Sequence, residues 1–156
     1  MEALRLRKLS ENETEFRDLL SLIQRSFAFM EGRIDPPSSM NCLTEADIRK
    51  HCEIGEIGVI GDPITACVFL RARDGWLYLS KLAVDEAARG LGLARHLVDH
   101  AMDRARDLGL QGVELETRVE LIENHTAFAR MGFAKTGDGT HAGFDRPTYI
   151  VMRRSL

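Results

Sequence analysis

The chain has 156 residues, of which 44% are hydrophobic and 29% are charged, and its formal net charge is -3. This length predicts a single domain over residues 1–156 with its own core, and it leaves no room for a second catalytic domain. The slight negative charge argues against a nucleic-acid partner, and no apolar run is long enough to cross a membrane.

The N-terminal residues alternate apolar and basic side chains, which is not the pattern of a signal peptide. The three cysteines, Cys42, Cys52 and Cys67, are an odd number and contain no CxxC pair. This usage predicts reduced thiols and a cytoplasmic location.

A strand followed by a helix is predicted at the start of the chain. Residues 4–7 alternate with a period of two, and Ser10 with Glu13 has the spacing of a capping box before an amphipathic run that reaches about Phe29. The segment from Glu31 to Asn41, with a glycine and two adjacent prolines, is predicted to be a loop.

A second helix and three strands are predicted next. Thr44 and Asp47 form another capping-box pattern, before a helix that runs to about Cys52. Residues 56–60 and 64–71 flank a Gly-Asp-Pro turn and predict a hairpin, and Trp76 to Val84 adds a third neighbouring strand.

The second half alternates helices and strands. An amphipathic helix from about residue 91 ends at Gly109, and the strand over residues 113–117 is predicted to run parallel to the strand before the helix. A short helix over residues 124–131 and two strands, 133–136 and 148–153, complete the chain. The order β-α-α-β-β-β-α-β-α-β-β predicts an α/β fold with one mixed sheet.

A glycine-containing turn joins the strand that ends at Val84 to the following helix. Its sequence is Arg89-Gly90-Leu91-Gly92-Leu93-Ala94. Free backbone amides at the positive end of a helix dipole suit a pyrophosphate. The segment lacks the lysine and hydroxyl of a P-loop, and Arg95 occupies the last glycine position of a dinucleotide fingerprint.

Arg89, Gly92 and Ala94 instead match the acetyl-CoA signature of the GNAT N-acetyltransferase superfamily, which the chain resembles from Leu4 to about Arg154. The resemblance implies a GNAT-like fold, acetyl-CoA as acyl donor, and direct transfer of its acetyl group to an amine of a small molecule or protein. It also implies a possible homodimer.

The resemblance further implies which residues contact the cofactor. The backbone of Leu82, Ala83 and Val84 would pair with the pantetheine amides, in a slot left where this strand splays away from the next one. The amides of Arg89, Gly90, Leu91, Gly92, Leu93, Ala94 and Arg95 would bind the pyrophosphate. Asn124 would contact the cofactor, and its alternative role is that of a helix N-cap.

The catalytic groups are less well defined by the pattern. Tyr78 and Ser80 are the candidate bases on the central strand, which carries no Asp or Glu. The tyrosine that usually protonates the thiolate in this family is replaced by Ala129, so His125 and Tyr149 are its candidate substitutes. This replacement keeps open an alternative function, a catalytically weak or inactive acyl-CoA-binding module.

No metal site is predicted, because His51, Cys52 and Glu53 are consecutive and cannot all face one ion from a regular helix. The loops over residues 31–41 and 137–147 are expected to border the acceptor. Arg33 and Asp35 in the first loop are candidates for contact with it.

Overall fold

The computed structural model describes residues 5–156, except for the side chain of Asn41. Leu4, which the pattern assigns to the first strand, lies outside the described residues. The elements are β1 (Leu6–Lys8), α1 (Glu13–Phe27), α2 (Glu45–Ile54), β2 (Glu56–Ile60), β3 (Ala66–Arg73), β4 (Trp76–Val84), α3 (Leu93–Asp107), β5 (Gly112–Arg118), α4 (Ile122–Arg130), β6 (Ala134–Gly139) and β7 (Tyr149–Ser155). Short 3-10 turns lie at Ala28–Met30, Ser39–Cys42 and Glu86–Ala88. The predicted order of strands and helices is confirmed.

The described strands form a seven-stranded sheet in the order β1-β2-β3-β4-β5-β7-β6. Every neighbouring pair is antiparallel except β4 and β5, which run parallel as predicted. The parallel pair follows from the long crossover through α3, since parallel strands need a connection of this length.

Two apolar clusters cover opposite faces of the sheet. One joins α3 to side chains such as Leu77, Leu79 and Leu115, and Phe128 of α4 packs against it. The other joins α1 to residues of β2 and β3 such as Val59 and Phe69. Because helices α1 and α2 lie over the first half of the sheet, β4, β5 and β7 present polar side chains on this second face.

The helix starts differ in part from the predictions. Thr44 and Asp47 form the predicted capping box of α2. The Ser10 cap is wrong: Asn12 caps α1, and its side chain accepts a hydrogen bond of 2.9 Å from the Glu15 amide. The chain stays on the sheet through Leu9, whose amide donates to Ile57 at 3.0 Å, so the helix begins later.

Candidate active site

Strands β4 and β5 separate shortly after they begin to pair. Their ladder consists of Leu77 opposite Val113 and Tyr78 opposite Glu114. Beyond this point β4 carries a bulge, where two of its residues, Lys81 and Leu82, lie opposite one residue of β3. Lys81 has a φ of +51°, which is uncommon for a residue with a side chain. The bulge bends β4 away from β5, as such irregularities do, and opens a fork between the two strands.

A cavity of about 600 Å³, here called the fork cavity, lies at this opening. Leu82, Ala83 and Val84 of β4 line it, together with Arg89 and Asn124. Among the described residues, no ladder pairs this end of β4 with β5. Its free backbone edge can therefore form hydrogen bonds with an extended ligand, in the way that it would with an additional strand.

A second cavity of about 460 Å³, the glycine cavity, continues from the first and shares Val84 and Arg89 with it. It is lined by Val84, Ala88, Arg89, Gly90, Gly92, Leu93, Ala94, Arg95, Ala127, Arg130 and Met131. Gly90 and Gly92 have φ values of +84° and +75°, a region that favours glycine. A Cβ at either position would meet no heavy atom within 4 Å, so the space above both is open.

The first turn of α3 faces this open space without a side-chain cap. Gly92 occupies the N-cap position and has no side chain to offer, and the first turn contains no acidic residue. The first amide to find a partner within the helix is that of His96, which donates to Gly92 at 3.0 Å. The preceding amides are free for an anion, so the residues fit the pyrophosphate expected from the sequence.

A third cavity of about 480 Å³, the aromatic cavity, lies on the α1 and α2 face of the fork and shares Phe27 and Asn124 with the fork cavity. It is lined by Phe27, Met30, Ser38, Ser39, Met40, His51, Ile54, Arg71, Tyr78, Ser80, Lys81, Glu116, Thr117, Arg118, Leu121, Asn124, His141 and Tyr149. The three cavities thus form one path along the fork.

Glu116 of β5 is a carboxylate in the aromatic cavity that the sequence prediction missed. The Tyr78 hydroxyl donates to Glu116 Oε1 at 3.4 Å, and Arg73 donates to Glu116 Oε2 at 3.2 Å. Arg73 also lies over the Tyr78 ring, with its guanidinium carbon 3.8 Å from the centroid. The sequence prediction names candidate bases only on β4, although the alternation of residues 113–118 places Glu114, Glu116 and Arg118 on one face of β5.

The protonation of this network follows from its surroundings. Burial, helped by the Glu116 charge, raises the pKa of Tyr78 to about 12, so its hydroxyl stays protonated near neutral pH. Burial alone would raise the pKa of Glu114, but hydrogen bonds from Arg73 and Arg153 at 2.8 Å each outweigh it and lower that pKa. Tyr78 is therefore a hydrogen-bond donor near neutral pH, which favours Glu116 over Tyr78 as the group that accepts a proton.

Thr117 of β5 carries a polar atom without a partner. Its residue is 7% exposed, and its Oγ1 atom has no hydrogen-bond partner within the described part of the chain. Thr117 alternates with Glu116 and Arg118, so its side chain lies on the opposite face of β5, the face of Val113 and Leu115. This hydroxyl is therefore a buried, unsatisfied group on the α3 face, where it costs free energy.

The loop of residues 31–41 is fastened over the aromatic cavity. Arg118 donates to the carbonyls of Pro36 and Pro37 at 2.6 and 3.3 Å. The two loop residues that were candidates for acceptor contact have other partners: Arg33 pairs with Glu123, and Asp35 pairs with Arg146 of the β6–β7 connection.

The remaining predicted site residues differ in whether they line one of the three cavities. Asn124 is the third residue of α4, whose N-cap is Leu121, so the N-cap alternative is wrong. Tyr149 lines the aromatic cavity beside His141. His125 and Leu91 line none of the three cavities. The His125 ring donates from Nε2 to the Arg118 carbonyl at 2.8 Å, a contact that no sequence pattern specifies.

Comparison with known proteins gives one family. The model of the acetyltransferase (GNAT) family matches residues 16–133. A curated relative, N-acetyltransferase 8B of Rattus norvegicus, is 44% identical over 61 residues, which are 39% of this chain and 28% of the relative. The match therefore spans less than a third of that relative's length.

Two solved structures illustrate the similarity of fold. An acetyltransferase from Streptococcus agalactiae superposes with a TM-score of 0.78 at 16% identity, covering 100% of both chains. A Bacillus subtilis acetyltransferase, solved in complex with CoA, gives a TM-score of 0.67 at 21% identity, covering 98% of this chain and 99% of the other. The resemblance drawn from the sequence is confirmed, and with it acetyl-CoA as the expected acyl donor.

Two further observations concern residues 5–156 alone. No helix among them has the length and apolarity that a membrane span requires. No group of three or more His, Cys, Asp or Glu side chains within this range has the arrangement of a metal site.

Proposed function

Since the chain belongs to the acetyltransferase (GNAT) family, we propose that it transfers an acetyl group from acetyl-CoA to a primary amine of a small molecule or protein. Acetyl-CoA supplies an activated thioester: the amine nitrogen bonds to the acetyl carbon, the carbon–sulfur bond breaks, and the sulfur leaves with the electron pair and gains a proton. The single observation that carries the proposal is the continuous path of three cavities along the β4–β5 fork.

Two segments would hold the cofactor. The free edge of Leu82, Ala83 and Val84 offers backbone groups to an amide-bearing chain in the fork cavity. The uncapped amides between Arg89 and Arg95 face the glycine cavity and offer donors to a pyrophosphate. Arg89, which is exposed and lines both cavities, adds a positive charge at their junction.

Glu116 is the group that we assign to accept the proton of the amine. A protonated amine is not a nucleophile, so the acceptor must lose a proton before or during attack. Glu116 is less than one third exposed, and it lies within the cavity that meets the fork cavity at Phe27 and Asn124. The hydrogen bond from Tyr78 and the ion pair with Arg73 orient its carboxylate.

Another polar group is placed to support the transfer. Ser80 lies on the same face of β4 as Tyr78 and one step nearer the fork, where its hydroxyl can donate a hydrogen bond to the departing sulfur. This role does not require a tyrosine at position 129, which is an exposed alanine.

The experiment that tests the proposal measures CoA release, with acetyl-CoA at saturation, across a panel of primary amines. Release that depends on the amine, with the N-acetylated product identified by mass spectrometry, is expected. The alternative of an inactive acyl-CoA-binding module predicts stabilisation by acetyl-CoA without release for any amine.

A further inference from the structure

The aromatic cavity carries more positive than negative charge. Its lining contains three cations, Arg71, Lys81 and Arg118, and one carboxylate, Glu116. Arg118 is engaged by the carbonyls of the loop above it. Arg71 and Lys81 remain, and both are half-buried.

Neither the Arg71 side chain nor the Lys81 side chain has a hydrogen bond or an ion pair within residues 5–156. The Arg71 guanidinium carbon lies 5.9 Å from the Tyr78 ring centroid, and Lys81 Nζ lies 5.0 Å from the Phe69 ring centroid. Arg73, two residues beyond Arg71 on the same face of β3, forms ion pairs of 2.8 and 3.2 Å. The absence of a counterion at Arg71 and Lys81 is informative, because it costs free energy to remove a cation from water without pairing it.

The charge of Arg71 acts on Lys81, and both cations act on a neighbouring histidine. Burial lowers the pKa of Lys81, and the Arg71 charge acts in the same direction. Burial also lowers the pKa of His51, which lines the same cavity, and Lys81 and Arg71 lower it further. Cys67 and then Asp47 oppose this lowering of the Lys81 pKa, but the Asp47 carboxylate is bound to the Thr44 amide and hydroxyl at 2.9 and 3.0 Å.

The backbone maintains the position of Lys81. Its φ of +51° belongs to the bulge of β4, and its side chain lies over Phe69, a buried residue of the α1 and α2 face. A side chain held by an uncommon backbone conformation is a reasonable starting point for a functional hypothesis. The cavity thus has a positive side at Arg71 and Lys81 and a negative side at Glu116, with Tyr78 between them.

We propose that the acceptor is a primary amine that also carries a carboxylate, with the amine at Glu116 and the carboxylate bound by Arg71 and Lys81. This inference rests on the proposed function, because it specifies the acceptor of the same transfer. Phe27, Met30 and Ile54 line the same cavity and can pack against the hydrocarbon between the two charged groups. A volume of about 480 Å³ is in the range of small-molecule pockets.

The test compares three kinds of acceptor at saturating acetyl-CoA, for several chain lengths that include an α-amino acid. Each amino acid is matched with its amide and with the alkylamine of the same length. For at least one length, kcat/KM should be about tenfold or more higher for the amino acid than for its amide, as expected for hydrogen bonds to a charged group. Equal values for amino acid and amide at every length would overturn the inference.

Variants of Arg71 and Lys81 test whether these cations cause the preference for an acceptor with a carboxylate. Arg71→Gln and Lys81→Gln should each bring the ratio of amino acid to amide towards one, whereas Arg106→Gln, on the exposed face of α3, should keep it. Arg71→Lys tests the position if Arg71→Gln does not fold. A ratio that both site variants leave at the wild-type value would also overturn the inference.

The measured outcomes distinguish a failure of this inference from a failure of the proposed function. If amides and alkylamines are acetylated and the carboxylate brings no gain, the proposed function stands and this inference is wrong. If acetyl-CoA stabilises the protein but no amine of any kind is acetylated, both are wrong.

Discussion

The Tyr78 hydroxyl lies 3.4 Å from Glu116 Oε1, although the two residues are 38 positions apart. Their strands are parallel neighbours whose pairing ends at Tyr78, so the contact lies where the fork opens. A protonated phenol and a carboxylate therefore meet at the fork end of the aromatic cavity. The proposed transfer of the amine proton to Glu116 depends on this pair.

Glu116→Gln should lower kcat/KM by about 10²- to 10⁴-fold, the usual contribution of a general base. The substitution keeps the size of the side chain and removes its ability to accept a proton. The measurement is amine-dependent CoA release, with circular dichroism to verify folding. Glu53→Gln, at an exposed position of α2, is the matched control and should retain wild-type rates. Unchanged activity of Glu116→Gln would remove the proposed base.

Gly92→Val should weaken acetyl-CoA binding. Gly92 has a φ of +75°, where a residue with a Cβ is strained by about 1–2 kcal/mol, so the turn is expected to shift and its amides to point elsewhere. The measurement is the rise in melting temperature on adding acetyl-CoA. Gly137→Ala is the control, because a Cβ at Gly137 meets no atom within 4 Å and its φ is not in the left-handed region. A wild-type rise in Gly92→Val would contradict the assigned site.

Thr117→Val should raise stability without changing acceptor binding. The change removes a buried hydroxyl without a partner and keeps the shape of the side chain, so the free energy of unfolding should rise by about 1 kcal/mol. The KM for the acceptor should stay at the wild-type value, because the Thr117 side chain lies on the face of β5 opposite Glu116. Chemical denaturation and steady-state kinetics measure the two effects. A variant that is less stable than the wild type would show that the hydroxyl serves the fold.

Stability should decline as the pH falls from about 7.5 to 5.5, a range that spans the unperturbed histidine value. Burial lowers the pKa of His51, His100 and His141 in the folded chain. The unfolded chain therefore binds protons at these positions first, and acidification below about 6.5 favours unfolding. The stability that comes from these three uncharged histidines is fully present above about pH 6.5 and is lost as the pH falls below it.

Melting temperatures across the pH range measure the effect. His51→Gln should make the decline shallower, whereas His96→Gln, at an exposed position of α3, should leave it unchanged. A decline in His51→Gln as steep as that of the wild type would mean that His51 does not contribute to it.

The order of elements could be predicted because each local signal agreed with the fold. Alternation marked β4 at its observed bounds, Trp76–Val84, and the spacing of Thr44 and Asp47 marked the start of α2. The glycine segment could be predicted for a similar reason, since its conformation and open space depend on residues that are adjacent in the sequence.

The catalytic side was harder to predict because it depends on contacts between distant segments. Glu116 matters through its position beside Tyr78, and the charge of Lys81 enters the cavity through a bulge that alternation alone does not reveal. His125 is a candidate proton donor in the sequence, and the contact of its ring with the Arg118 carbonyl depends on packing between α4 and β5. Such contacts are settled by tertiary packing.

The proposed acetyl transfer and the role of Glu116 can be tested together by mass spectrometry of amines incubated with acetyl-CoA and either the wild-type protein or Glu116→Gln. An N-acetylated amine should accumulate with the wild type and be strongly reduced with the variant. Binding of acetyl-CoA without acetylation of any amine above the level of the Glu116→Gln variant would contradict this expectation.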